Sequence, residues 1–163
     1  MKKIILSALL VLAQAAVFSQ TKLPDGIYLV DEAGTKNISP QKNTAAIQFN
    51  PLFVEEDPAE YDPVLIFTHD FVPLQLTKEP VIQLHQKKEH LLLVTLTEVA
   101  RQKLSSFTSK HITKQVVVLV NGQALAIYRV TKPVTSKEIR ISKCTGDGCS
   151  EVYRYLKSTI RFL

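Results

Sequence analysis

The chain of 163 residues has only five glycines and two cysteines. With so little glycine, the sequence contains no glycine-rich loop of the kind that cradles a phosphate group. The neighbouring residues Ser105 and Ser106 have no flanking glycines, so the sharp turn that presents the nucleophile of many serine hydrolases is not indicated. These absences disfavour phosphate-binding and serine-hydrolase chemistry.

Excess charge is also scarce. The formal net charge is +5 at pH 7, and residues 1–19 contribute two lysines and no acids, so the remainder carries about +3. A positive charge this small, spread among acidic residues, is weak support for a nucleic-acid partner. The sequence therefore predicts that the protein does not bind nucleic acid.

The N-terminus has the pattern of a secretory signal peptide. A basic start precedes an apolar run over residues 4–18, which is shorter than the ~20 residues that span a bilayer. The small residues Val17 and Ser19 suit a signal-peptidase site, which predicts cleavage between Ser19 and Gln20. No cysteine follows this site, so a lipid anchor is not indicated. The expected location is the periplasm or the exterior, and an uncleaved anchor helix is the alternative.

The two cysteines, Cys144 and Cys149, flank a Thr-Gly-Asp-Gly loop. An oxidising compartment favours a disulfide between them, and Gly146 and Gly148 supply the backbone freedom that a tight loop needs. Closing so short a loop stabilises a fold by about 2 kcal/mol. A redox-active pair before a helix is an alternative, whereas a zinc site lacks two further ligands at suitable spacing.

Residues 20–87 are predicted to form an accessory, β-rich N-terminal half. Apolar alternation and turn residues predict four strands there, at residues 26–31, 45–50, 64–68 and 81–85. Because Pro80 cannot donate to a strand ladder, the last of these is expected to lie at a sheet edge.

Residues 88–163 show stronger patterns. A continuous aliphatic stretch at residues 89–96 predicts a central strand. Thr97 is expected to cap a helix whose apolar stripe is formed by Ala100, Leu104, Phe107 and His111. A further strand at 138–142 and a helix capped by Ser150 follow.

Residues 116–120 are β-branched or aliphatic and lead into Asn121 and Gly122, which suit a two-residue hairpin turn with positive φ at both positions. The expected register places Val118 opposite Leu125 and Val116 opposite Ile127. The order strand, helix, hairpin, strand, helix predicts an α+β fold, a two-layer sandwich with an antiparallel-rich sheet and two main helices on one face.

One series of motifs extends through the second half of the chain: Leu96-Thr97-Glu98, Thr108, Val116 to Val120, Asn121-Gly122 and Pro133-Val134-Thr135-Ser136. In order and spacing this series, which covers about half of the expected mature chain, resembles the head subdomain of the first periplasmic domain of SecD, the export-assisting membrane protein. The resemblance implies a two-layer α+β head, here in a free-standing, exported version without that family's membrane helices.

Several residues depart from the SecD pattern. Thr113, Lys137 and Lys143 stand where the family has glycine, and Tyr128 replaces a proline. The cysteine loop looks like an insertion. These changes lie on turns, where function concentrates, so the surface used by SecD need not be kept.

Histidines and acids give two further candidates. His85 and His90 could approach across a turn and bind a metal with Glu89, although surface histidines are the simpler interpretation. The adjacent pair His69 and Asp70 would diverge on a strand. The acidic segment 55–62 could bind Ca²⁺, but it lacks EF-hand spacing and is more typical of a solvated loop.

Taken together, these patterns predict a non-enzymatic interaction module of the cell envelope, with a protein or peptide partner. The expected contact is strand addition at the edge formed by Val81, Ile82, Gln83 and Leu84. Neither a cofactor, a bound metal nor a small-molecule ligand is predicted. The alternative is a small exported hydrolase or thiol-redox protein that uses the histidines or the cysteine pair.

Overall fold

The computed structural model describes residues 22–35, 43–53, 62–85, 89–144 and 147–159. These residues form eight strands, three helices and one 3-10 turn. The strands are β1 (Gly26–Val30), β2 (Thr44–Ile47), β3 (Val64–Pro73), β4 (Val81–Leu84), β5 (His90–Thr95), β6 (Gln115–Val120), β7 (Gln123–Arg129) and β8 (Glu138–Cys144). The helices are α1 (Glu32–Thr35), α2 (Glu98–Lys110) and α3 (Gly148–Thr159), and the 3-10 turn is Pro51–Phe53.

The strands divide between two antiparallel sheets. One has five strands in the order β2-β3-β1-β6-β7, and the other has three in the order β4-β5-β8. With α2 and α3 this makes an α+β sandwich, as the sequence predicted. Each sheet takes strands from both predicted segments, 20–87 and 88–163.

The main core lies between the two sheets and the two long helices. It contains Val118 of β6, Leu92 and Val94 of β5, Leu104 of α2 and Leu156 of α3, all buried. A second cluster covers the opposite face of the five-stranded sheet around Tyr28. Because both faces of that sheet are covered, β6 is buried at every position from Val116 to Val120, which explains its unbroken apolar sequence.

Of the two predicted N-terminal helix caps, the structure confirms that of α2 but not that of α3. Thr97 caps α2 as predicted, since its hydroxyl accepts a hydrogen bond from the Ala100 backbone N–H at 3.2 Å. The prediction that Ser150 caps the last helix is wrong. That helix begins at Gly148, and the Glu151 N–H donates to the Asp147 carbonyl at 3.1 Å, so Ser150 lies inside the first turn.

The predicted hairpin joins β6 and β7, but its register differs beyond the turn. A bulge between Val118 and Leu119 leaves Val118 opposite Ala126 rather than Leu125, and Val116 opposite Tyr128 rather than Ile127. Since side chains alternate along a strand, the bulge exchanges the faces of β7. Tyr128 therefore packs against the main core.

Candidate functional site

Strand β4, which contains the predicted contact residues, lies at one edge of the three-stranded sheet. It pairs with β5 on one side, with Val81 opposite Leu93 and Leu84 opposite His90. The side chains of Val81 and Leu84 are 46% and 69% exposed, whereas Ile82 packs against the main core. This edge combines exposed apolar side chains with a row of backbone groups.

The ladder fixes which backbone groups of β4 face away from β5. The His85 N–H donates to the Glu89 carbonyl at 2.7 Å, which makes these two residues a hydrogen-bonded pair. Hydrogen-bonded and non-hydrogen-bonded pairs alternate in an antiparallel ladder. The N–H and C=O groups of Leu84 and Ile82 therefore point outward, where an added strand would meet them.

Helix α3 holds the segment that leads into β4. The Glu79 carboxylate accepts hydrogen bonds from the Tyr153 hydroxyl and the Lys157 ammonium, each at 3.0 Å. The hydrogen bond from Lys157, followed by that from Tyr153, lowers the pKa of Glu79. Glu79 is therefore ionised at neutral pH and anchors the start of the edge strand.

The hairpin turn at Asn121 and Gly122 has φ values of 54° and 80°, which are the positive angles that a type I′ turn needs. The Asn121 N–H donates to Asp25 Oδ1 at 2.8 Å, and Lys22 Nζ donates to Asn121 Oδ1 at 2.6 Å. The turn is thus tied to the segment before β1. Its polar groups serve this structural contact.

The sulfurs of Cys144 and Cys149 are bonded, with their Cα atoms 5.7 Å apart. The bond links the end of β8 to the first turn of α3. Both residues are buried, at 4% and 1% exposure, within the main core. Because thiol exchange needs an accessible sulfur, this placement favours a structural clip over a redox-active pair.

The histidines considered as metal ligands do not converge. Leu84 is paired with His90, so the side chain of His85 projects from the opposite face of the sheet. The third proposed ligand, Glu89, forms an ion pair instead: its Oε1 lies 2.7 Å from Lys143 Nζ. Within the described ranges, no group of three or more histidine, cysteine, aspartate or glutamate residues could hold a metal ion.

The adjacent residues His69 and Asp70 contact different partners, as expected for side chains that diverge on a strand. His69 Nε2 lies 3.2 Å from Asn43 Oδ1. Asp70 Oδ2 lies 2.9 Å from His111 Nε2, and the His111 backbone N–H caps α2 through the Phe107 carbonyl. Asp70 thus joins β3 to the end of α2.

A cleft that no sequence pattern indicated lies between the two sheets beside α2. Its volume is about 520 Å³. The residues that line it are Ile27, Leu91, Leu104, Thr108, Val116, Val118, Tyr128, Arg129, Val130, Thr131, Lys132, Val134, Ser136, Glu138, Ile139 and Arg140. The walls are predominantly aliphatic. No local sequence pattern marks this cleft, because its residues come from five strands, one helix and one loop.

Charged groups on the cleft wall are mostly basic. Arg129, Lys132 and Arg140 are exposed. The guanidinium of Arg140 lies 5.9 Å from the centre of the Tyr128 ring, and burial raises the pKa of Tyr128 while Arg140 opposes that rise. Glu138 is 4.0 Å from Lys78. Among the residues with a described position, none of the three cations has a carboxylate partner.

Thr108 fixes one wall of the cleft. Its buried hydroxyl donates to the Leu104 carbonyl at 2.7 Å and accepts from the Val134 backbone N–H at 2.9 Å. The second bond ties the connection between β7 and β8 to α2. Thr108 is one of the residues on which the resemblance to SecD rests, and here it has a structural role.

We predict that Thr108→Val lowers the free energy of unfolding by about 1–2 kcal/mol, because the Val134 N–H loses its acceptor. Hydrogen exchange at the Val134 amide should accelerate in the same variant. Thr108→Ser keeps the hydroxyl and serves as the control. Equal exchange protection of Val134 in the valine and serine variants would contradict this role.

Two further predictions concern residues that lie wholly or mostly outside the described ranges. The signal-peptide segment 1–19 and residues 55–61 of the acidic segment lie outside the described residues. Asp62, the last residue of the acidic segment, is exposed. None of the helices seen in the described part of the chain is long and apolar enough to cross a bilayer.

The fold is similar to that of solved SecDF structures. One, of a membrane component SecDF that enhances protein export, superimposes with a TM-score of 0.55 and 17% identity over 84% of this chain and 64% of that chain. Another, of SecDF in a super-membrane-facing form, gives a TM-score of 0.51 and 17% identity, with 80% of this chain and 18% of that chain covered.

This chain therefore spans less than two thirds of the length of either SecDF chain. No protein-family model matches the sequence, and no curated protein matches it either. Because the sequence identity is only 17%, this similarity is evidence for the fold alone. The structural similarity confirms the predicted resemblance of this chain to a SecD periplasmic domain.

Proposed function

We propose that this chain is an exported, non-enzymatic interaction module of the cell envelope that binds extended polypeptides. The observation that carries the proposal is the open edge of β4, where the backbone groups of Ile82 and Leu84 face outward beside exposed apolar side chains. An extended peptide can pair with such an edge through its own backbone. The fold supports the same role, because SecDF enhances protein export.

The buried disulfide and the fold also support an extracellular location. A bond between Cys144 and Cys149 is favoured outside the reducing cytosol. Strand addition would let the protein engage many sequences, since most of the contact is made through the peptide backbone. Such a module would hold or hand on a chain during passage through the envelope.

The first test is fluorescence anisotropy with labelled, extended peptides. We expect saturable binding that is about tenfold weaker for Leu84→Pro than for the unaltered protein, because proline removes an outward-facing N–H donor. Leu84→Ala removes the side chain but keeps that donor, and is the matched control. Circular dichroism and thermal melting would verify that each variant is folded.

A second arm leaves the protein unaltered and modifies the peptide. Methylating alternate peptide amides removes the donors that would face β4, whereas methylating the intervening amides leaves those donors in place. Strand addition predicts that one set abolishes binding and the other has little effect. Equal binding by both sets, or unchanged binding by folded Leu84→Pro, would overturn the proposal.

A further inference from the structure

We propose that the cleft between the two sheets is a binding site for a single-chain carboxylate amphiphile, that is, a free fatty acid. This inference is independent of peptide binding at the outer edge of β4, since no residue of β4 lines the cleft. It rests on the aliphatic walls of the cleft, its volume and the cations on its lining.

The walls suit an alkyl chain. Leu91 of β5, Val116 and Val118 of β6, Leu104 of α2 and Ile139 of β8 surround a space of about 520 Å³. Pockets for small ligands commonly measure ~300–1,000 Å³ and are lined by apolar side chains with a few placed polar groups. An alkyl chain carries no N–H or C=O groups, so it enters such a space without losing hydrogen bonds to water. A peptide would bury its amides there at a cost.

The charges suit a carboxylate. Arg129, Lys132 and Arg140 line the cleft, and no described carboxylate pairs with any of them. Arg129 Nη1 donates to the Thr113 carbonyl at 2.6 Å, which holds that side chain in place. Guanidinium and ammonium groups form their strongest hydrogen bonds with anionic oxygens. The head group of a fatty acid is such a partner, at the end of a chain that the aliphatic walls can cover.

The bulge in the β6–β7 hairpin contributes to this arrangement. With the predicted register, Tyr128 would point away from the main core, whereas the observed register places its ring in the cleft. The phenol hydroxyl of Tyr128 and the guanidinium of Arg140 then lie together on the cleft wall. Both can donate to a carboxylate.

The experiment is isothermal titration calorimetry of the purified protein with decanoate and dodecanoate below their critical micelle concentrations. Dodecyltrimethylammonium and dodecanol provide the cationic and neutral comparisons at the same chain length. We expect the carboxylate to bind most tightly and the cation most weakly. Each additional buried methylene should tighten binding by about fourfold, so dodecanoate should exceed decanoate by up to about 15-fold.

The variant Lys132→Gln/Arg140→Gln should weaken dodecanoate binding by about 3- to 10-fold and leave dodecanol binding unchanged. Lys103→Gln/Arg154→Gln, at exposed positions of α2 and α3 that do not line the cleft, removes the same number of charges and is the charge-matched control. Val134→Trp should block the cleft and weaken all the amphiphiles. Because both substituted cations are exposed, the double variant is expected to fold, and thermal melting checks this.

The proposal would be overturned by equal affinity for the carboxylate and the cation of the same chain length. Binding that is indifferent to Val134→Trp would also overturn it, since the amphiphile would then lie elsewhere. Competition separates this site from the edge of β4: dodecanoate should not displace a labelled peptide. Displacement would show that the peptide and the amphiphile share the cleft, which would overturn the assignment of the cleft to the amphiphile.

Discussion

Replacing Leu92 with alanine is expected to lower the free energy of unfolding by about 2–5 kcal/mol. Leu92 is fully buried in the main core and lies on β5, the middle strand of the three-stranded sheet. It is opposite Ile82 on one side and Ser142 on the other. Truncation therefore leaves a cavity where both flanking strands and α3 meet, and these elements can close it only in part.

Urea denaturation measures this effect. The midpoint should fall while the slope with urea concentration stays the same, since the surface exposed on unfolding hardly changes. Leu84→Ala makes the same chemical change on the neighbouring strand, where the side chain is 69% exposed. Its effect should stay within about 0.5 kcal/mol. Comparable losses of unfolding free energy in Leu92→Ala and Leu84→Ala would contradict the burial of Leu92 in the main core.

Raising the pH from 10 to 12 should destabilise the protein by up to about 2.7 kcal/mol through one tyrosine. Tyr28 is fully buried on β1, its hydroxyl donates to the Pro24 carbonyl at 2.7 Å, and its ring stacks on Phe71 with centroids 4.6 Å apart. Burial, with a further contribution from the negative charge of Asp25, raises the pKa of Tyr28 to about 12.

Stability falls with rising pH because the pKa of Tyr28 is higher in the folded protein than in the unfolded chain. Below pH 10 the phenol is neutral in both states, and the stabilisation is fully present. Between pH 10 and about 12 the unfolded chain loses the proton while the folded chain keeps it, so the free energy of unfolding falls by about 1.4 kcal/mol per pH unit. Above the folded pKa the contribution is lost.

Tyr28→Phe isolates this titration. The variant loses the hydrogen bond to Pro24, at a cost of about 1 kcal/mol near neutral pH, but it has no phenol to ionise. Its stability should therefore decline less steeply between pH 10 and 12 than that of the unaltered protein. The pKa values of Tyr128 and Tyr155 are also raised, so some slope remains. Identical slopes in the two proteins would refute the assignment to Tyr28.

The sequence predicted local features better than long-range ones. The cap at Thr97 and the turn at Asn121 and Gly122 were predictable, because each depends on hydrogen bonds or φ angles within a few residues. The register of the hairpin was not. Its bulge brings Tyr128 rather than Ile127 opposite Val116, on the face of the sheet that packs in the main core, and the residues of that core come from distant segments that a local pattern does not reveal.

The division into two sheets illustrates the same limit. The strand at residues 64–68 was predicted, but the observed strand continues to Pro73 because β1 supplies partners as far as Gly26. Similarly, the aliphatic stretch in β5 indicated a central strand without indicating which strands flank it. Periodicity reports which side chains are buried. It contains no information on which strands pair.

The cleft was the least predictable feature. Leu91, Val118, Tyr128 and Ile139 belong to four different strands, and each is an ordinary apolar residue in its own segment. Their meeting depends on how the two sheets pack. The edge of β4 was easier to anticipate, since Pro80 and the short alternation after it indicate the end of a sheet from local sequence alone.

The position of β1 has a consequence for the order of folding. This strand lies between β3 and β6 in the five-stranded sheet, and the segment before it reaches the hairpin turn through a contact between Asp25 and Asn121, which are 96 positions apart. Joining such distant residues costs loop entropy before the contact is gained, and folds rich in such pairings form slowly. The five-stranded sheet therefore cannot be completed until β6 and β7, in the second half of the chain, are available to pair beside β1.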